Sequence, residues 1–313
     1  MKKWNHYVVI DPEDITQDSN TEQPLVTVYM PTHNRLALLK RAVQSVLEQS
    51  LQNFELIIVN DGSADNTESY LEQLAQTDSR IRCFHQSPAQ GACAARNFAI
   101  QQARGMFITG LDDDDEFLPN RLKMFSQAWD PDYAFLCHGF RWQYGKRFKV
   151  VDATAMTITL PLLLDYNYAT NQVFTLTSRL REIAGFDPTF KACQDYDTWV
   201  RLIFKFGNAS RLSGDSYILH QGHEGPRVTV KSIEGLKQFY AKHDHLMSRR
   251  NRKNQHFLQL IAQKETLSFK GFMTIATDGH FLRKLRYFLS SHFHVLARVR
   301  HRYLKEGKFN GWK

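Results

Sequence analysis

Between residues 25 and 111, apolar and polar positions alternate in blocks that predict strands and helices in turn. Four short apolar runs rich in β-branched or aromatic residues predict strands: "LVTVYM" (25–30), "FELIIV" (54–59), "IRCF" (81–84) and "MFITGL" (106–111). Between them, apolar residues spaced three or four apart predict helices over 36–47, near 70–74 and over 91–104. Strands that alternate with helices favour an α/β fold with a mainly parallel sheet and helices on both of its faces.

Polar clusters follow three of these strands at the point where each strand ends. They read "PTHNR" (31–35), "NDGSADN" (60–66) and "LDDDDEFLP" (111–119). In an open parallel sheet, ligands bind in the crevice beyond the carboxyl ends of the strands. We therefore expect the three clusters to meet at one edge of the sheet and to form a ligand site there.

The third cluster places four consecutive aspartates, 112–115, directly behind an apolar strand. Carboxylates are costly to bury without partners, and like charges repel. Oxygen ligands two residues apart suit a hard divalent cation, Mg²⁺ or Mn²⁺ rather than zinc, and such a metal commonly bridges substrate phosphates. An exposed acidic loop without a ligand is the alternative interpretation.

Composition narrows the class of protein. The chain has 313 residues, a net charge of +8 and four cysteines without CxxC spacing, so neither a disulfide framework nor a zinc site is indicated. No apolar run approaches the roughly 18 residues that a membrane span needs, and the first 20 residues lack the apolar core of a signal peptide. We expect a cytoplasmic protein.

The positive charge is concentrated near the C-terminus, where residues 281–313 carry nine Lys or Arg and one acidic residue, Glu306. Apolar positions recur there at helical spacing, and basic positions fall opposite them: Arg283, Lys284, Arg286 and Arg300. Such a basic amphipathic helix is typical of a membrane-surface element, so we expect contact with an anionic membrane surface. A terminal helix that docks on the core is the alternative, and no motif indicates nucleic acid.

Five motifs together carry a resemblance to a known family. "PTHNR", "VNDGS", "ACAARN", "LDDDDEFLP" and "CQDYDTWVRL" occur in an order and spacing that resemble the family 2 glycosyltransferases of the GT-A fold, of the type that builds bacterial polysaccharide or lipopolysaccharide. The resemblance covers roughly residues 25–245. It implies an inverting, Mn²⁺- or Mg²⁺-dependent transferase that moves a hexose or N-acetylhexosamine from a UDP-sugar to a hydroxyl of a lipid-linked or other oligosaccharide acceptor.

The resemblance also implies roles for particular residues. Those at donor-binding positions are Pro31, Thr32, Asn34, Arg35, Asp61, Arg96, Asp112 and Asp113. Among them, Asp61 falls where a carboxylate contacts the base and Asp112 where one faces the ribose. The metal positions fall on Asp114 and Asp112, and which of the four aspartates bind the metal is left open. Outside the motifs, the segment "HQGHEGPR" (220–227) carries two histidines and an arginine. Imidazole is a common metal ligand, so His220 or His223 could complete the metal site or contact the leaving diphosphate. Arg227 is a candidate for contact with phosphate or with a lipid diphosphate.

Asp195 falls on the position of the catalytic base, and one departure lies next to it. The family usually has Glu-Asp where this chain has Gln194-Asp195, which leaves a single strong base, with Asp197 as the reserve. Trp199 and Arg201 are expected to be structural.

The expected division of the chain is a polar lead-in (1–24), a nucleotide-sugar-binding half (25–130), an acceptor-binding and catalytic-base half (131–245) and a basic helical extension (246–313).

Three other functions are compatible with parts of this pattern. A non-catalytic saccharide-binding module is disfavoured because both Asp114 and Asp195 are present. A sugar nucleotidyltransferase usually has a glycine-rich loop after its first strand, and "PTHNRLALLKR" has no glycine. A processive synthase would need membrane spans.

Overall fold

The computed structural model describes residues 23–145, 147–220 and 232–292. Strands and helices alternate through the N-terminal part: β1 (Val26–Thr32), α1 (Leu36–Leu47), β2 (Phe54–Asp61), α2 (Thr67–Thr77), β3 (Ile81–Gln86), α3 (Ala92–Gln102) and β4 (Phe107–Gly110). The four predicted strands are confirmed, with bounds that differ by up to two residues. The predicted helices are confirmed as well.

The rest of the described chain mixes short strands with helices. Its elements are β5 (Glu116–Phe117), α4 (Arg121–Gln127), β6 (Leu136–Tyr144), β7 (Arg147–Val151), β8 (Met156–Ile158), α5 (Leu160–Asp165), β9 (Phe174–Leu176), α6 (Thr177–Glu182), α7 (Gln194–Phe206) and β10 (Ala209–His220). Four helices follow: α8 (Ser232–His243), α9 (Arg249–Gln263), α10 (Phe269–Ile275) and α11 (Phe281–His292).

All ten strands of the described residues join one sheet in the order β3-β2-β1-β4-β9-β6-β10-β5, with β7 paired to β6 and β8 to β10. The first four strands are parallel to one another, whereas β9 runs antiparallel to both β4 and β6. The predicted mainly parallel α/β architecture is confirmed for this first half. The antiparallel strands lie in the second half, where the sequence pattern is irregular.

Side chains alternate between the two faces of the sheet along each strand, and a separate core packs against each face. Tyr29, Ile57 and Ile108 face one core together with α3 and α7, while Val28 and Ile58 face a second core together with α1 and α2. Every residue of β2 is buried, which explains its continuous apolar run. The loops after β1, β2 and β4 are thereby fixed on a rigid support.

The C-terminal helices α9, α10 and α11 share a third, smaller core around Phe257, Phe272 and Ile275. One sequence expectation is wrong here: Lys284, placed on the solvent-facing basic side of the terminal helix, is buried. Its Nζ donates to the carbonyl oxygen of Ile275 at 2.8 Å, at the end of α10. A lysine commonly satisfies the free carbonyls of a helix C-terminus in this way. Residues 293–313 of the predicted amphipathic helix lie outside the described residues, as does the lead-in up to residue 22.

Within the described ranges, none of the helices combines the length and the apolar character that crossing a membrane requires.

Candidate active site

The loops after β1 and β2 are joined by hydrogen bonds through Asn34. Its backbone N–H donates to Ser63 Oγ at 2.9 Å, and its side-chain oxygen accepts the N–H of Ala64 at 2.7 Å. Asn34 has a positive φ of 55°, a region that asparagine tolerates better than most residues. Two of the three polar clusters therefore meet at the carboxyl edge of the sheet, as predicted.

The four aspartates after β4 alternate between buried and partly exposed positions. Asp113 and Asp115 are only 5% and 3% exposed, whereas Asp112 and Asp114 are more accessible. Burial raises the pKa of Asp113 to about 6, against the opposing charge of Arg35. Burial and the neighbouring aspartates raise the pKa of Asp115 well above its ordinary value. Two carboxylates of the run are thus buried in the protein, and two remain partly exposed.

Residues of the first loop hold the acidic run in place. The hydroxyl of Thr32, at the end of β1, donates to Asp113 Oδ2 at 2.8 Å. The Arg35 guanidinium reaches both Asp113 Oδ1 at 3.1 Å and Asp114 Oδ2 at 3.0 Å. Pro31 lies directly before Thr32 in β1 and is paired with Val59 of β2. The first and third clusters are therefore in direct contact, and their charges partly compensate each other.

Asp112 is held by a separate set of contacts on the other side of the run. Its Oδ1 accepts hydrogen bonds from Arg96 at 2.8 Å and from Gln172 at 3.2 Å, and Gln172 in turn accepts the hydroxyl of Tyr29 at 2.9 Å. Burial by itself would lower the pKa of Arg96, but the charge and hydrogen bond of Asp112 together with Tyr29 outweigh burial, and the pKa is raised. Arg96 therefore stays charged beside the carboxylate.

Gly110 is a glycine for a steric reason. A Cβ at this position would lie 2.1 Å from Gln172 Oε1 and 2.4 Å from the Tyr29 ring. The absent side chain lets Gln172 approach the end of β4 and reach Asp112.

Asp61, expected to contact the base of a nucleotide, is buried at the end of β2. Its two carboxylate oxygens accept the backbone N–H groups of Gln90 at 2.6 Å and Gly91 at 2.8 Å, just before α3. A carboxylate has about four lone-pair sites, so each oxygen retains capacity for a further donor. Asp61 therefore fixes the start of α3, which carries Arg96, and stays able to accept a ligand N–H.

Asp195 lies in the first turn of α7, and its side chain is partly buried. Burial raises the pKa of its carboxyl to about 6, with Arg96 lowering it and Asp112 raising it further. Asn167 donates a hydrogen bond to its Oδ2 at 3.0 Å. Asp195 and Asp112 thus lie within electrostatic reach of each other and of Arg96. A carboxyl group with a pKa near neutrality is suited to accept a proton at physiological pH.

Asp197 does not face this site and cannot serve as the reserve base. It is fully buried, and its carboxylate pairs with His243 at 2.8 Å, Lys242 at 2.8 Å and Arg201 at 2.9 Å. Burial opposes these contacts, but together they lower the pKa of Asp197. Its role is to join α7 to α8. The expectation that Trp199 and Arg201 are structural is confirmed, since Trp199 Nε1 donates to the Thr170 carbonyl and Arg201 to those of Ile183 and Gly185.

His220, the additional metal candidate, lies at the end of β10 and contacts Glu116 through Nε2. Glu116 also pairs with Arg41 at 3.2 Å, and the backbone N–H of His220 donates to Asp115 at 3.0 Å. His220 is therefore close to the acidic run, with its imidazole engaged by a carboxylate. His223 and Arg227 lie outside the described residues.

Within residues 23–145, 147–220 and 232–292, no group of three or more His, Cys, Asp or Glu side chains comes together in a way that could hold a metal ion. Mg²⁺ and similar ions are often held by only one or two carboxylates together with substrate phosphates. Asp112 and Asp114 supply two partly exposed oxygen donors on one turn. The residues present therefore fit a metal site that substrate phosphates complete.

Sequence analysis missed Gln172 and Asn167, which contact Asp112 and Asp195. Both lie in the irregular stretch between α5 and β9, where no periodic pattern or motif marks a residue. Their proximity to the site depends on how this stretch packs between β4 and α7. A pattern within a single segment carries no such signal.

Comparison with known proteins identifies the family to which the chain belongs. The family model described as "Glycosyl transferase family 2" matches residues 27–195. The chain is 35% identical over 263 residues to the protein named "Putative colanic acid biosynthesis glycosyl transferase WcaA" of Escherichia coli K12, a match that covers 80% of this chain and 93% of that protein.

Two further relatives match over about a third of each chain. One is the "GalNAc(5)-diNAcBac-PP-undecaprenol beta-1,3-glucosyltransferase" of Campylobacter jejuni, 38% identical over 36% of this chain and 36% of that one. The other is the "UDP-Glc:alpha-D-GlcNAc-diphosphoundecaprenol beta-1,3-glucosyltransferase WfgD" of Escherichia coli, 40% identical over 32% of this chain and 39% of that one.

Solved structures share the fold. TarS 1–349 of S. aureus in complex with UDP-GlcNAc aligns with a TM-score of 0.61 at 18% identity, over 85% of this chain and 81% of that one. The mannosyltransferase PcManGT of Pyrobaculum calidifontis, in complex with GDP-Man and Mn²⁺, aligns with a TM-score of 0.57 at 15% identity, over 94% and 86%. With more than half of the sequence matched by the family model, the chain belongs to glycosyl transferase family 2 and has its GT-A fold.

Proposed function

We propose that this glycosyltransferase moves a hexose or N-acetylhexosamine from a UDP-sugar to a hydroxyl of a lipid-linked saccharide, with inversion, in bacterial surface polysaccharide or lipopolysaccharide biosynthesis. One observation carries the proposal. Asp195, whose pKa is raised to about 6, lies within electrostatic reach of Asp112 at the carboxyl edge of the sheet, with Arg96 near both. A base and a donor-binding carboxylate therefore share one site.

The relatives support the substrate classes. WfgD is named for a UDP-glucose donor and a diphosphoundecaprenol-linked GlcNAc, the Campylobacter jejuni enzyme for an undecaprenol-diphosphate saccharide and the Escherichia coli K12 relative for colanic acid biosynthesis. The TarS structure contains UDP-GlcNAc.

We assign the donor to the edge where the three loops meet. Thr32, Asn34 and Arg35 would line the nucleotide side, and Asp61 would accept a base N–H with its remaining lone pairs. Asp112 would face the ribose, next to Asp113, with Arg96 beside it. Arg35 and Arg96 bring two guanidinium groups to a site where a diphosphate would lie, and guanidinium groups suit phosphate oxygens.

Asp112 and Asp114 would hold Mn²⁺ or Mg²⁺, which supplies charge neutralisation for the leaving diphosphate when bound. We assign His220 only an outer place, because Glu116 engages its imidazole. Asp195 removes the proton from the acceptor hydroxyl as that oxygen attacks the anomeric carbon from the face opposite the leaving group. A single displacement of this kind inverts the anomeric configuration.

We further propose that the enzyme acts at the cytoplasmic face of the inner membrane. The C-terminal helices α10 and α11 expose a row of large apolar side chains: Phe269, Met273, Phe281, Leu282 and Leu289. Exposed basic residues, Lys270 and Arg286, lie among them. An apolar surface with interspersed cations suits an anionic lipid interface. We call these five apolar residues the α10–α11 patch.

A donor screen tests the function. Purified enzyme with Mn²⁺ or Mg²⁺ is given UDP-glucose, UDP-galactose, UDP-GlcNAc or UDP-GalNAc together with a diphospho-lipid GlcNAc or GalNAc acceptor, and UDP release is measured. We expect metal-dependent turnover with one donor, lost in Asp114→Ala and Asp195→Ala and kept in Asp132→Ala, which changes an exposed aspartate in the loop before β6. Donor binding without turnover on either acceptor would contradict the proposal, and the absence of any UDP-sugar binding would exclude the uracil role of Asp61.

A further inference from the structure

Residues 161–170, which we call the bridging segment, lie along the helix that carries Asp195. The hydroxyl of Tyr196 donates to the Leu163 carbonyl at 2.5 Å, Asn167 donates to Asp195 at 3.0 Å, and Trp199 Nε1 donates to the Thr170 carbonyl at 3.0 Å. Successive parts of the segment thus follow the first turns of α7, and its position is tied to that of the base.

The opposite side of the bridging segment is held by α9. Asp165 is buried and accepts hydrogen bonds from Asn251 at 2.7 Å and Asn254 at 2.8 Å, and it pairs with Arg250 at 2.8 Å. These contacts offset the free-energy cost of burying the carboxylate. The segment therefore connects the catalytic base to the C-terminal helices through a firmly anchored residue.

Two tyrosines of this segment project towards the start of α11. Tyr168 and His280 share a hydrogen bond of 2.9 Å between the hydroxyl and Nε2, and the rings of Tyr166 and Tyr168 lie edge to face with centroids 5.4 Å apart. The guanidinium of Arg283 lies 4.3 Å above the centre of the Tyr166 ring. All four side chains are partly exposed.

Arg283 differs from its neighbour Arg250 in one respect that matters for ligand binding. Arg250 is neutralised by Asp165, whereas Arg283 forms no ion pair with any carboxylate of the described residues. A guanidinium held by stacking on an aromatic ring keeps its five N–H donors available for an anion. Two partly exposed tyrosine rings and such a cation lie on and beside the segment whose Asn167 contacts the catalytic base. Together they have the chemistry to bind a sugar ring joined to a diphosphate.

We propose that Tyr166, Tyr168 and Arg283 form the acceptor subsite: the tyrosine rings pack against the acceptor sugar, and Arg283 binds its diphosphate. This inference rests on the proposed function and assigns the acceptor to residues outside the family motifs. Leu282 of the α10–α11 patch, 78% exposed, adjoins Arg283. A lipid chain that leaves the diphosphate would therefore meet the apolar patch, while the sugar lies towards Asp195.

The test combines two variants with two soluble acceptors, so that binding to a bilayer plays no part. One acceptor is a GlcNAc or GalNAc α-diphosphate with a short alkyl chain, and the other is the matching neutral alkyl glycoside. Arg283→Met removes the cation and keeps the length of the side chain, and Tyr166→Leu removes the ring. Arg249→Met, at an exposed arginine of α9, is the matched control.

In the wild type we expect a lower acceptor KM, and tighter direct binding by calorimetry, for the diphosphate than for the neutral glycoside. Arg283→Met should raise the KM for the diphosphate about tenfold or more, because a charge-assisted contact is lost, and should remove the preference between the two acceptors. Tyr166→Leu should raise both acceptor KM values. The KM of the UDP-sugar and the melting temperature should change little in either variant, and Arg249→Met should match the wild type.

Unchanged acceptor binding and KM in both variants, within about twofold, would overturn the subsite, as would an equal rise of acceptor and donor KM. A failure of the proposed function looks different: wild-type enzyme would release no UDP with either acceptor. The calorimetric comparison still decides the subsite in that case, because it needs no turnover. Wild type and Arg283→Met binding the diphosphate acceptor equally would then refute it.

Discussion

Replacing Asn167 tests whether Asp195 acts as a base whose protonation is set by its surroundings. The Asn167 amide donates to Asp195 Oδ2 at 3.0 Å, and this contact stabilises the ionised carboxylate. Burial already raises the pKa of Asp195 to about 6. Removal of the donor in Asn167→Leu should therefore raise the pKa further.

The size of the effect follows from the strength of such a bond. A hydrogen bond to a charged group contributes about 1.5–3 kcal/mol, and one pKa unit corresponds to about 1.4 kcal/mol. Because Asp195 is partly exposed, we take the lower end and expect a rise of about one unit. At pH 6 the ionised fraction would fall from about one half to about one tenth, a roughly fivefold loss of rate, whereas at pH 8.5 the two enzymes would differ little.

The assay is kcat/KM from pH 5 to 9, with the acceptor varied. The wild-type rate should rise with pH through about 6, because the base acts in its ionised form, and the Asn167→Leu profile should be displaced upward. Asn53→Leu makes the same chemical change in the loop before β2, where Asn53 accepts the Leu25 N–H, and should leave the midpoint unchanged. An Asn167→Leu profile with the wild-type midpoint, or a loss equal at every pH, would refute the reasoning.

Three further predictions follow from burial and packing. In Asp195→Asn the transfer activity should be lost, while the free energy of unfolding at pH 8 should rise by up to about 3 kcal/mol. Because the folded-state pKa of Asp195 is raised to about 6, its ionisation destabilises the fold at every pH above the unfolded pKa. Denaturant titrations should therefore show the gain shrinking as the pH falls from about 6 towards 4. Gly110→Ala should lower the free energy of unfolding by about 1–3 kcal/mol, because its Cβ would overlap Gln172; unchanged denaturant unfolding would contradict the tight approach. Met273→Glu combined with Leu282→Glu should reduce co-sedimentation with anionic vesicles without altering unfolding, and undiminished sedimentation would exclude the α10–α11 patch as the lipid contact.

The sheet and its ligand edge could be predicted because each depends on local pattern. A strand buried on both faces requires a continuous apolar run, and β2 has one; the polar clusters then had to fall at the strand ends. The contacts of Thr32 and Arg35 with Asp113 confirm that the first and third clusters converge. The direction of the parallel strands alone predicts this arrangement.

Side-chain direction within the acidic run could not be predicted in the same way. Four identical residues offer no contrast from which to infer which carboxylates face inward. The difference arises because Thr32 and Tyr217 supply donors for Asp113 and Asp115, and Tyr217 is 102 positions away along the chain. Lys284 illustrates the same limit, since its burial depends on the end of α10 lying beneath it.

Arginine side chains explain how the protein accommodates so many carboxylates in the turn after β4. Arg35 pairs with Asp113 and Asp114, Arg96 pairs with Asp112, and Arg41 donates to the Asp114 carbonyl and pairs with Glu116. These three arginines come from α1, the loop before it and α3, at the edge of the sheet to which we assign the donor. Their charges offset the repulsion among the carboxylates and stand at the edge where a diphosphate would bring further negative charge. The same guanidinium groups can therefore serve the fold and the donor, which is why we assign Arg35 and Arg96 to both.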